Sequence, residues 1–114
     1  MIPEYDEIKL LHHRVCRAAV GDPRRIQIVY ALGEQPLHVN ELATLLEVSP
    51  STISRHLSVL RGRAMVMAER DGQMMIYVLT DRRIIDVLDQ MREIMRDILK
   101  QQVELGGTVS TKSE

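Results

Sequence analysis

The sequence predicts a mainly α fold with a small β-hairpin, a winged helix–turn–helix with the order α-α-α-α-β-β-α. Three features point to it. The stretch NELATLLEVSPSTISRHLSVLR reads as two short helices joined by a tight turn. Close behind it, MVMAERDGQMMIYVL alternates like a two-stranded ribbon, with Asp71-Gly72 as a hairpin signal. Amphipathic segments flank this unit on both sides.

Each element has a local reason. Tyr5, Ile8, Leu11, Val15 and Ala18/Ala19 recur at helical spacing, which predicts a first helix over about residues 4–20, ended by Gly21. Asp22 caps and Pro23 opens a second helix, with Ile26, Val29 and Leu32 on one face and Gly33 as the expected C-cap. Leu37-His38 is a short extended connector; His38 stands where a Ser/Thr cap is expected, and the sequence assigns it no role. A third helix is expected over about Val39–Leu46, with Leu42, Leu45 and Leu46 inward and Ala43 small enough for a close crossing. Glu47-Val48 makes the turn. Ser49 caps and Pro50 opens a fourth helix, whose Ile53, Leu57 and Leu60 share one face and which Gly62 closes.

Met65–Ala68 and Met74–Leu79 are strand-like. Thr80 or Asp81 caps a last helix over about residues 82–102. Its Ile84, Leu88, Met91, Met95 and Ile98 repeat at the 4–3–4–3 spacing of a coiled-coil seam, and Ile85, Val87, Ile94 and Leu99 widen the stripe. Together with Tyr5, Ile8 and Val15 of the first helix, the seam is the expected dimer interface. Residues 1–105 are expected to form one DNA-binding and dimerisation domain, and the GGTVSTKSE end, 106–114, a disordered tail.

Composition narrows the function. No apolar run approaches the roughly 20 residues that span a bilayer, and the first residues carry acids where a secretory signal is basic, so a cytoplasmic protein with no membrane partner is expected. Cys16 is the only cysteine, which excludes an internal disulfide and a cysteine zinc cage within one chain. The net charge is only −1, but it is unevenly spread. Between Ser49 and Arg83 six arginines outnumber three acids; between Ile84 and Leu105 five acids outnumber three bases. A local basic face matters more for phosphate than total charge. With no Trp, no Phe and three Tyr, the chain lacks the stacking platforms of single-strand binders, which favours double-stranded DNA. It also lacks a Gly-rich phosphate loop, an HExxH pair, paired catalytic carboxylates with a cleft, and any nucleophile–base pair beyond a His12/Cys16 coincidence, so no enzyme is expected.

A recognition helix needs an apolar back, short polar residues near its start and cations for phosphate. The fourth helix has all of these. Ser49, Ser51, Thr52 and Ser54 can approach bases or phosphates, Arg55 and His56 can bond base acceptors or phosphate, and Arg61 and Arg70 add charge at the helix end and the wing tip.

DPRRIQIVYAL, VNELATLLEVSPSTISRHLSVLR and VMAERDGQMMIYVL together resemble the ArsR/SmtB (arsenic-repressor) family of bacterial winged-helix regulators, with the SRHL core and the Tyr77-containing strand most distinctive. The resemblance covers more than half the chain. It implies a homodimer held by first and last helices, one reader per subunit on an inverted-repeat operator, and an inducer, often a metal ion, that releases the DNA. Glu47 and Ala64 stand where the family usually has turn glycines.

The family's sensing sites are altered. The paired cysteines of its third-helix site fall on His38 and Asn40, and its last-helix site falls on Asp81, Arg83, Ile94 and Asp97, where Arg and Ile cannot ligate. His12, His13 and Cys16 remain as metal candidates for zinc or nickel, with Asp89, Glu93 or Asp97 as conceivable further donors. Against this, Cys16 flanks the apolar stripe and fits core packing, and the internal methionines fit as flexible core filler. The leading expectation is a sequence-specific repressor. The alternative is a winged-helix protein-interaction or heterodimer subunit without independent DNA binding.

Overall fold

Helix α1 spans Tyr5–Leu11 in the computed structural model, which describes residues 1–105. The expected tail, 106–114, lies outside the described residues. Beyond Leu11 the chain stays helical, but as a π-helical segment, His12–Val20, not as the regular α-helix expected. Each of its hydrogen-bonded rings holds one more residue than in an α-helix. The segment buries Ala18 and Ala19 and ends at Gly21. A Cβ on Gly21 would lie 2.4 Å from the Arg17 carbonyl oxygen, so close backbone approach requires glycine there.

Helix α2, Pro23–Glu34, starts as expected: the Asp22 side chain accepts from Arg24 N at 2.9 Å. Ile28, Val29 and Leu32 form its buried face. The helix runs through Gly33 to Glu34 and is capped by Gln35, two residues later than anticipated. Pro36 is the physical stop, because it forces the preceding Gln35 into extended backbone.

Strand β1, Leu37–His38, leads into α3, Val39–Leu46. Leu42 and Ala43 are the buried residues of α3, whereas Leu45 is 60% exposed, correcting its expected inward place. The inward side is set by packing on α4, Pro50–Gly62, whose Ile53, Leu57 and Leu60 are all buried. Strands β2, Val66–Asp71, and β3, Met74–Leu79, complete an antiparallel sheet of order β1-β3-β2. Leu37 pairs with Tyr77, so the connector becomes a third strand. Pairing of the wing continues to Asp71↔Met74, which moves the two-residue turn to Gly72-Gln73, with Gly72 at φ 67°.

The chain divides into two units, Met1–Arg82 and the part from Arg83 onward. Among the described residues the second holds helix α5, Arg83–Glu104. Along it Leu88 is buried and Ile84 half-buried, while Met91, Met95 and Ile98 are each about half exposed, at 49%, 50% and 51%. No helix among the described residues is long and apolar enough to cross a membrane.

Candidate nucleic-acid interface

The reader begins with a strained turn. Glu47 takes φ 58°, ψ 43°, and its N–H donates to Thr44 O at 3.3 Å, while Val48 N donates to Ala43 O at 3.1 Å. Ala64, on the approach to the wing, takes φ 62°. These are the two positions at which the resemblance noted above implies turn glycines. The left-handed turns are kept without them, at a cost of order 1 kcal/mol each.

At the start of α4, Ser49 is occupied by capping. Its Oγ accepts from Thr52 N at 3.2 Å, donates to Thr52 Oγ1 at 2.8 Å, and lies 3.2 Å from Ser51 Oγ. Ser49 and Thr52 therefore fix the helix start, and Thr52 is half-buried. Ser51, Ser54, Arg55 and Arg61 are exposed; Ser51 and Arg55 stand opposite the buried Ile53, Leu57 and Leu60, and Ser54 and Arg61 at the flanks of that stripe. Arg70 is exposed near the wing tip, paired across the hairpin with Met75.

His56 departs from its expected outward place. Its side chain is 15% exposed, with Nε2 4.0 Å from Asp22 Oδ1. Arg25 Nη1 donates to His56 Nδ1 at 3.3 Å; an arginine can only donate, so Nδ1 is the acceptor. Asp22, Arg25, Arg55, His56 and Val59 line a pocket of about 380 Å³ beside the reader.

Arg25 was missed by sequence reasoning. Its Nε donates to Ala18 O at 2.7 Å and its Nη2 to Arg17 O at 3.0 Å. One guanidinium thus satisfies two carbonyls at the end of the π-helical segment and reaches the reader helix. Arg24 ties α2 to the turn as well, through Leu46 O at 3.4 Å. In sequence both arginines read only as basic residues of an amphipathic helix.

The metal candidates lie together on the π-helical segment, but among the described residues no group of three or more His, Cys, Asp and Glu could hold a metal ion. Arg63, then desolvation, then Arg17, Arg14 and His12 push the His13 imidazole below its ordinary pKa. The same positive surroundings oppose a bound cation. These residues do not fit a metal site within one chain.

Residues 22–66 match the family described as bacterial regulatory protein, arsR family. The chain is 30% identical over 80 residues to a transcriptional repressor SmtB homolog from Synechocystis, covering 70% of this chain and 61% of that relative. It is 30% identical over 76 residues to the transcriptional activator HlyU from Vibrio cholerae, covering 67% of this chain and 70% of that one. NolR from Sinorhizobium fredii has a similar crystal structure, with a TM-score of 0.69 at 29% identity over 82% of this chain and 93% of the other. Both curated relatives are named as transcriptional regulators, not enzymes. The chain thus spans just over three fifths of the Synechocystis relative's length.

Proposed function

The chain belongs to the ArsR family of bacterial regulatory proteins, and from that premise we propose that it is a cytoplasmic, sequence-specific repressor that binds double-stranded DNA as a homodimer on an inverted repeat. One observation carries the reading. The back of α4 is anchored by Ile53, Leu57 and Leu60 at 0–1% exposure, while Ser51, Ser54 and Arg55 face solvent on the same helix. A rigid helix with a free polar face is what major-groove reading needs. Arg61 and the wing's Arg70 supply phosphate contacts; Ser49 and Thr52 hold the helix start, and His56 acts from behind, through Arg25 and Asp22.

A second copy of this chain is the partner proposed for the terminal helices. Tyr5 and Ile8 of α1 are exposed and Val15 is half-buried. On α5, Met91, Ile94, Met95, Ile98 and Leu99 line an apolar groove of about 340 Å³. Two such stripes laid together would cover each other's apolar surface. Release by an inducer belongs to the same proposal; a metal held by one chain alone is not part of it.

The test is a binding assay on short inverted repeats, starting with the DNA upstream of the protein's own gene. Arg55→Ala is expected to weaken binding with no loss of melting temperature, and affinity is expected to fall steeply with salt as counterions are released. Binding that ignores both sequence and salt, or is absent from a correctly folded dimer, would overturn it.

A further inference from the structure

His38 joins three elements. Its backbone N–H donates to Glu41 Oε1 at 2.8 Å, closing one side of a capping box at the start of α3. Its ring lies between two carboxylates, with Nδ1 2.8 Å from Glu41 Oε1 and Nε2 2.9 Å from Asp71 Oδ2. Asp71 is the last residue of β2, next to the wing turn and to Arg70. The third packed element, β3, presents the apolar Ile76 opposite His38. Glu41 and Asp71 are thus the charged groups that face the ring.

A neutral imidazole has one N–H and one lone pair. Set between two carboxylates, it would turn that lone pair on an anionic oxygen. Both ring contacts to carboxylate oxygens are hydrogen bonds only when both nitrogens carry protons. We propose that His38 is a positioning residue for the wing: as imidazolium it ties Asp71 to Glu41 and neutralises the wing tip, and on losing its proton it releases a bare carboxylate beside the DNA phosphates. The proposal rests on the DNA-binding reading above and adds a regulation to it, affinity that falls as pH rises.

The sign follows from linkage. The Glu41 hydrogen bond, opposed by desolvation and helped by the bond to Asp71 and both charges, raises the His38 pKa above its ordinary value. The clasp is therefore complete below about pH 6.5, the unperturbed histidine value, and is lost as pH rises through the raised one. Glu41 is held below the usual carboxylate range by the His38 backbone and ring hydrogen bonds, so its share is lost only in stronger acid.

The test combines an NMR titration of the full-length protein with duplex-binding curves on both sides of the His38 transition. His38 is expected to titrate above an ordinary histidine, and Asp71→Asn to bring it down. Wild-type affinity is expected to fall several-fold with rising pH. His38→Gln is expected to show the weaker affinity throughout, and Asp71→Asn the stronger one throughout, each with a flattened profile. The other histidines are common to wild type and both variants, so the difference from wild type is the quantity read. Binding that follows one pH profile in wild type and both variants overturns this proposal alone, as does a His38 pKa at or below the ordinary value. A folded protein that binds no duplex at any pH overturns the DNA-binding reading together with it.

Discussion

Arg25→Met keeps the aliphatic stem but removes the guanidinium that donates to Ala18 O at 2.7 Å, Arg17 O at 3.0 Å and His56 Nδ1 at 3.3 Å. The bond to Ala18 is part-buried, and a charged donor there is worth about 1.5 kcal/mol. The more exposed bond to Arg17 adds roughly 0.5–1 kcal/mol, and the long contact to His56 less. The sum is about 2–3 kcal/mol, which for a domain of this size lowers Tm by roughly 10–15 °C. Urea and thermal unfolding should be followed at one fixed protein concentration, because the stability of the proposed dimer would depend on it. Arg55→Ala is the matched comparison, since Arg55 is exposed and its loss should change stability by less than about 0.5 kcal/mol. An Arg25→Met protein that melts with wild type would refute the role given to that guanidinium.

Further outcomes follow from single observations. Gly21→Ala places a Cβ 2.4 Å from Arg17 O and should destabilise by about 1–3 kcal/mol in the same unfolding assay. Glu47→Gly and Ala64→Gly relieve left-handed backbone at φ 58° and 62°, and each should raise the urea midpoint by an equivalent of about 0.5–1 kcal/mol. Met95→Glu puts a carboxylate into the apolar groove of α5 and should shift the protein toward monomer in sedimentation, with duplex affinity lost in parallel.

Much of the fold was legible because apolar spacing and capping chemistry agree along the chain. Asp22-Pro23 and Ser49-Pro50 mark helix starts that the structure reproduces. The inward residues Ile53, Leu57 and Leu60 follow directly from the 3.6-residue period. Other points were decided by neighbours in space. Pro36 overrode Gly33 as the end of α2, and pairing across the hairpin carried β2 on to Asp71. The π-helical segment has no local signature; its final carbonyls depend on Arg25, seven and eight residues away. On the candidate interface, the period alone placed His56 outward, but Asp22 and Arg25 hold it behind α4. His38 read as an odd cap, because its second partner, Asp71, lies 33 residues further along. Glu47 and Ala64 were visible as departures from a glycine pattern, and their positive φ values show that the turns persist.

The outward face of α4 can be tested directly by NMR titration of the isotopically labelled protein with an inverted-repeat duplex. Shifts and line broadening should concentrate at Ser51, Ser54, Arg55 and Arg70, and leave Ile53, Leu57 and Leu60 in place as the helix back. Perturbations confined to the exposed stripe of α5 at Met91, Ile94 and Met95, with the α4 face silent, would contradict the reading.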